Sequence, residues 1–455
     1  MGNGVQADLV VRGATIVSAT GRTQGDLLVS EGKVAGIVSP GSGEAERTID
    51  AAGLHLLPGG VDPHVHMQDP GLTEKEDFIT GTSAAAVGGT TTIVEHNRSL
   101  PFVLDAELLV EKGEYLADRA LIDYAQLGGA HPDNVEDLRP MWEAGAVAFK
   151  VFTCNLHGAE AILPDKMLEV FREVASFDGV CLVHAEDETI TTANEERLRA
   201  AGRTDYEVIP EWRTREAEQV AVNTTAQIAR MTGCRVAIAH ASHPEICDLV
   251  NRERDRGARL WVECCPQYFY LSEEDIKTWG PWNKFTPPAR SKEEADGMWA
   301  RLRSGDIDMV SADHAPATKE DKAQGEENIW ECSFGLPGVE TVLPMMLTGV
   351  NEGRVSLERL VEARSVVPAQ VYGLWPRKGH LGIGADADFV LVDMNAEKTL
   401  ENDDVVAKVG WTPFEGRTVK GLPLMTFVRG RLVAQEGKPV MDPGWGEFVK
   451  GPGSD

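Results

Sequence analysis

The sequence predicts an α/β protein: a TIM-like (β/α)8 barrel carrying a small β-sandwich built from the two ends of the chain. Three observations carry this. Apolar runs alternate with long helix-like segments through the middle of the chain, both ends consist of short strand-like runs, and several of the central runs end on a metal-competent or titratable residue. Strand–helix alternation on this scale indicates parallel βα units, and a barrel closes many such units without leaving an edge.

The first segment reads "DLVVRGATIVS", "GDLLVSEGKVAGIVS" and "RTIDAAGLHLLPG", β-rich runs separated by glycine and polar turns. From Lys378 the same pattern returns in "DADFVLVDM" and "GRTVKGLPLMTFVRGRLVAQEG". Each piece is too small to bury a core alone. The expectation is therefore one β-sandwich domain from residues 1–56 plus 378–455, docked on a barrel over 57–377. Within the barrel region, "DAELLVEKGEYLADRA", "PDKMLEVFREVASF" and "REAEQVAVNTTAQIARM" read as helices.

The chain has 455 residues, enough for more than one domain, and ordinary apolar and charged fractions. A formal net charge of −28 disfavours nucleic acid or an anionic membrane surface as partner. Seven scattered cysteines (154, 181, 234, 247, 264, 265, 332) form no C-x-x-C pair, which fits reduced thiols. No apolar run reaches membrane-spanning length, and the start "MGNGVQADLVVRGATIVS" lacks the features of a signal segment. The expected location is the cytoplasm.

The stretch "GGVDPHVHMQDPG" places His64 and His66 two apart at the end of an apolar run. On a strand, residues two apart face the same side, so the two imidazoles are able to share one metal ion. Further runs end alike: "EAGAVAFKVF" carries Lys150, "GVCLVHAEDE" His184, "CRVAIAHASH" His240 and "IDMVSADHAP" Asp313. In a βα barrel these ends meet at one face, where catalytic groups sit. Imidazole and carboxylate suit a zinc-like ion, so the set fits a two-metal hydrolytic centre. A cationic lysine beside two divalent ions is repelled, but burial favours its neutral amine. That amine is able to add carbon dioxide and become a carbamate, an anionic bridge between metals. The alternative is a structural lysine paired with a nearby acid.

These motifs, in this order and spacing, resemble the amidohydrolase superfamily, and most closely its cyclic-amidase branch of hydantoinases, dihydropyrimidinases, allantoinases and dihydroorotases. "GPWNKFTPPARS", "GLPGVETVLPMMLTGVNEGRVSLERLVE" and "KGHLGIGADADFVLVD" are most similar to hydantoinases of the L-type. The resemblance covers nearly the whole chain. It implies that His64 and His66 bind the more buried of two divalent metals, Zn2+ being expected, and that His184 and His240 bind the more exposed one. Lys150, carboxylated by CO2, bridges them, and Asp313 binds the buried metal and serves as the catalytic proton carrier. A bridging hydroxide attacks the ring carbonyl of a small cyclic amide, ureide or imide, because metal binding lowers the pKa of water to about 7. The resemblance also implies a homotetramer or dimer.

Five positions bear on the substrate through the same resemblance. Gln68 stands where dihydroorotases carry the arginine of H-x-H-x-R. Asn155 stands where hydantoinases often place tyrosine, five residues after the bridging lysine. Phe334, in "FGLPGVE", replaces an asparagine, whereas Thr286 in "FTPPAR" matches. In "IVEHNRSLP", Arg98 takes the place of an asparagine near the substrate. Its guanidinium either clamps a substrate carboxylate or pairs with Glu95 or another acid outside the pocket. Allantoinase or dihydroorotase-like activity, and an unusual carboxylated substrate, remain the alternatives. Two further readings are a metal-free scaffold and an amidohydrolase cleaving a different bond.

Overall fold

A computed structural model of the chain describes residues 7–454. Eight parallel strands form the central sheet: β1 (Gly60–Val65), β2 (Thr90–Glu95), β3 (Asp123–Gly129), β4 (Ala148–Phe152), β5 (Val180–His184), β6 (Arg235–Ile238), β7 (Arg259–Cys264) and β8 (Met309–Val310). Every one of them pairs with its sequence neighbour. The continuation of β8 reaches back to β1, where Val65 and His314 form a parallel bridge and the His66 N–H donates to the His314 carbonyl at 2.7 Å. This closes the barrel. Below the bridge, the Asp62 carboxylate accepts from the Ala312 N–H at 3.1 Å and is gripped by the buried Arg364 at 3.1 Å.

The strands are buried almost throughout, as a sheet covered on its outer face requires. Pro164–Ser176 shows why the covering helices form. Proline starts it, and Met167, Val170, Phe171 and Val174 repeat at helical spacing on the buried side. Arg215–Thr232 starts with the Thr214 hydroxyl accepting from the Ala217 N–H and stops at Gly233, whose φ of +75° suits glycine. The run "DAELLVEKGEYLADRA" is helical only over Ala106–Leu116.

The two ends of the chain share one nine-stranded sheet. Its seam is His55–Pro58 lying antiparallel to Phe389–Val392, so the strand leading into the barrel is paired with the strand that follows it. The edge strand Lys33–Val38 curls back onto the start of Phe389–Thr399: Lys33 bridges Asp386, and the Val34 N–H donates to the Ala385 carbonyl at 2.9 Å. Val11, Leu27, Leu56, Phe389 and Phe427 belong to the core enclosed in this way. Among the described residues no helix is long and apolar enough to cross a membrane, and all seven cysteines are buried and free.

A buried ion network ties this sheet to the barrel. The Lys378 ammonium, with no solvent exposure, lies 2.7 Å from both Asp386 and Asp388 and contacts Asp123 at the start of β3, which Arg429 also contacts. Removing one partner from a buried pair leaves uncompensated charge and costs about 3–5 kcal/mol. Lys378→Met is therefore expected to lower the thermal unfolding midpoint sharply; an unchanged midpoint would show that the network contributes nothing.

Candidate metal centre

The strand ends of the barrel bring all six expected ligands to one cleft. His64 lies in β1 and His66 just beyond it, Lys150 in the middle of β4, and His184 at the last residue of β5. His240 and Asp313 follow β6 and β8. All six line one narrow cleft, with Phe152, Leu156, His157, Phe285, Thr286 and Phe334 among its walls. His240 and Asp313 hold φ of +40° and +45°, a left-handed backbone that non-glycine residues rarely adopt and that clusters at functional sites.

The donor atoms form two adjoining groups. The Asp313 carboxylate lies 3.2 Å from His64 Nε2 and 3.7 Å from His66 Nε2, and Lys150 Nζ lies 3.4 Å from the same His64 nitrogen. His184 Nδ1 and His240 Nε2 lie 2.9 Å apart. Burial pushes the pKa of all four imidazoles below the ordinary value, which leaves neutral rings with lone pairs to offer. Burial also pushes the Lys150 amine down to about 8, against the pull of Asp313 and Glu263. Among the described residues Lys150 makes no ion pair within hydrogen-bonding reach; its nitrogen sits over the Phe152 ring at 5.0 Å. Burial disfavours the Asp313 carboxylate, yet His64, His240 and Lys150 hold its pKa below the usual range. Neutral imidazoles, a carboxylate and a buried amine converging at such distances fit a pair of divalent cations.

Two buried glutamates orient the rings. His64 Nδ1 donates to Glu263 at 2.7 Å, and the same carboxylate oxygen accepts from the Ser311 hydroxyl at 2.7 Å. His184 Nε2 donates to Glu186 at 2.7 Å, which also accepts from the Thr286 hydroxyl at 2.6 Å and from Arg213 at 3.4 Å. Each contact fixes the tautomer and leaves the opposite nitrogen facing the cleft. Sequence reasoning missed both glutamates, as well as His96 and His157. Glu186 stands two residues after His184, and Glu263 and His96 end apolar runs, so the strand-end signal that found the ligands was available for them too.

Of the five expected substrate contacts, Thr286 and Phe334 line the cleft, and Gln68, Arg98 and Asn155 do not. Gln68 is buried and its amide donates to the Pro316 carbonyl at 3.0 Å, which ties two loops together. Asn155 is exposed; its main-chain and side-chain N–H groups both donate to Glu188 at 2.6 Å, and its amide oxygen accepts from the Ala161 N–H. Arg98 makes no ion pair with Glu95, because that carboxylate is taken by Lys112 at 3.1 Å and the Met67 N–H at 3.0 Å. The Arg98 Nε is buried without a partner, and burial lowers its pKa to about 10 with only Asp321 opposing.

A barrel of this topology with histidine, lysine and aspartate gathered at its strand ends defines a class of barrel proteins whose candidate site lies where such folds carry out catalysis. Residues 55–433 match the amidohydrolase family, and the chain belongs to that family. It is 37% identical over 447 residues to an L-hydantoinase of Paenarthrobacter aurescens, covering 97% of this chain and 98% of the relative. A dihydroorotase of Halobacterium salinarum is 35% identical, with 86% of this chain and 89% of that protein covered. The solved structure of an L-hydantoinase (dihydropyrimidinase) from Arthrobacter aurescens superposes with a TM-score of 0.95 at 36% identity, over 98% of this chain and all of that one.

Outer-shell partners of ligating histidines are worth roughly 10–100-fold in metal affinity. Glu263→Gln is expected to weaken metal retention by that amount, measured as metal content after dialysis against a competing chelator. Retention equal to the parent protein would remove Glu263 from the site.

Proposed function

We propose that this protein is a metal-dependent hydrolase that opens a cyclic amide, ureide or imide ring, with hydantoin-type ureides as its substrate class. The observation that carries the reading is the convergence of His64, His66, Lys150, His184, His240 and Asp313 in one cleft. The hydantoinase and dihydroorotase relatives support it.

His64, His66 and Asp313 would hold one divalent ion, zinc being the ion their chemistry suits, and His184 and His240 would hold a second. The neutral Lys150 amine, on adding CO2 to form a nitrogen–carbon bond and release a proton, would supply a further anionic oxygen donor. Bound there, the ions supply water activation at neutral pH and polarisation of the scissile carbonyl. Asp313 takes a proton from the attacking water and delivers it to the ring nitrogen, which leaves only once protonated. Phe334 and Phe285 form an apolar wall against the ring, and Thr286, held by Glu186, fixes the rim where the substrate amide enters. A homotetramer or dimer and a cytoplasmic location complete the proposal.

Hydantoin, dihydrouracil, allantoin, dihydroorotate and succinimide, offered to metal-loaded protein and followed by absorbance, test the reading. Ring opening of at least one is expected, with a loss of about 100-fold or more in Asp313→Asn. Turnover by fully metal-free protein would overturn it. Reconstitution adds a pH signature. Only the neutral amine adds CO2, and a Lys150 pKa near 8 means its fraction rises about tenfold per unit below pH 8 and levels off above. Metal uptake by stripped protein in bicarbonate is expected to follow that curve; a flat profile from pH 6 to 9 would count against the carbamate.

Arg98 favours a second reading, in which the ring carries an anionic substituent. Among the described residues its Nε has no hydrogen-bond partner, and its charge is felt at His66 and at the cleft residue His157. Arg98→Ala is expected to raise KM about tenfold or more for carboxylated hydantoins and to leave neutral ones unchanged. Equal losses on both would assign Arg98 a structural role.

A further inference from the structure

His96 has no part in the function proposed above and, among the described residues, no hydrogen-bond partner for its ring. It follows β2, and its main-chain N–H donates to the Val65 carbonyl at 3.0 Å, which sets it level with His64 and His66 on the neighbouring strand. The side chain is fully buried, and neither ring nitrogen has a hydrogen-bond partner. One buried unsatisfied polar group costs about 1–3 kcal/mol, and this ring carries two. A ring needed only for packing gains nothing from nitrogen. The neighbours explain the chemistry instead: His96 stacks on His64 with centroids 4.3 Å apart and packs against His66 at 4.0 Å. One nitrogen from each of the three rings lies within 4.8 Å of the others.

We propose that His96 is a third imidazole ligand of the ion held by His64 and His66, so that this position retains its ion on three imidazoles and Asp313 without the Lys150 carbamate. The inference rests on the metal-binding part of the function proposed above. His64 is locked by Glu263 at Nδ1, whereas no hydrogen bond holds the His96 ring. A ring binds a metal in its own plane, and His96 lies within 9° of parallel to His64, so ligation requires the His96 ring to rotate about its side-chain bonds, a movement that no hydrogen bond to the ring opposes. Three imidazoles and one carboxylate are donors enough to retain a zinc-like ion before the Lys150 carbamate forms. They also favour nitrogen-seeking metals over magnesium or manganese.

The test uses the full-length protein, stripped by chelator and reloaded with Co2+ either in CO2-free buffer or with bicarbonate. Bound cobalt per chain and the visible ligand-field spectrum are read. Wild type is expected to hold a single equivalent without CO2 and two with bicarbonate. His96→Phe keeps a ring for stacking and removes both nitrogens. It is expected to lose the CO2-independent equivalent, with cobalt affinity about tenfold or more weaker and an altered spectrum. His96→Gln, with folding checked by circular dichroism, serves if the Phe variant does not fold. Wild type that loads only with bicarbonate, or variants with wild-type affinity and spectrum in CO2-free buffer, would overturn the inference alone. Wild type that binds no cobalt in either buffer would remove the metal-binding reading and this inference with it.

Discussion

The seam between the first and last barrel strands is the constraint on which the site depends. His64 and His66 lie about 250 residues from Asp313 in the chain, and only closure of the barrel brings them together. The Val65–His314 bridge and the Ala312–Asp62 hydrogen bond set the register of that closure. Asp62 also accepts from the His64 N–H at 3.3 Å, so one buried carboxylate holds the main chain on both sides of the seam. Burial pushes its pKa up, and Arg364 is the group that keeps it charged. A slip of one residue here would turn both imidazoles to the other face of the strand.

The site works against the charge of the molecule as a whole. A chain with a net charge of −28 buries, at its functional end, four neutral imidazoles, an amine of lowered pKa and the Arg98 Nε. The acids that do enter are committed: Glu186 to His184, Thr286 and Arg213, and Glu263 to His64 and Ser311. Little free negative charge is left to compete for a cation except Asp313. The acidic exterior and the cation-seeking interior are thus separate devices, one concerned with dispersal and the other with binding.

The barrel, and the meeting of its strand-end residues in one cleft, were legible because both rest on local patterns. An apolar run ending in histidine or aspartate is a short-range signal, and it recurs at the ends of four of the eight barrel strands, which share one geometry. Lys150 stood out because burial and a cationic side chain conflict. The substrate positions were less legible, because loops follow no period. Gln68 and Asn155, expected from the resemblance to meet the substrate, instead bond elsewhere: Gln68 across to Pro316 and Asn155 to Glu188 at the surface. Gln68 and His157 have left-handed backbones, with φ of +58° and +57°, that no local pattern announces. Glu263 ends an apolar run as the cleft residues do, but its role in orienting His64, 199 residues away, follows from no local pattern.

The pairing of His55–Pro58 with Phe389–Val392 has a consequence for biosynthesis. As the chain leaves the ribosome, the strand that feeds the barrel emerges early and pairs on one edge with the preceding Ala7–Ser18 strand, but its other edge finds no partner until nearly the whole polypeptide has been made. That edge stays open through the interval, and contacts this distant in sequence form slowly. A ribosome stalled before residue 389 leaves a nascent protein whose barrel strands are all present but whose terminal layer is missing a side, a form suited to capture by a chaperone.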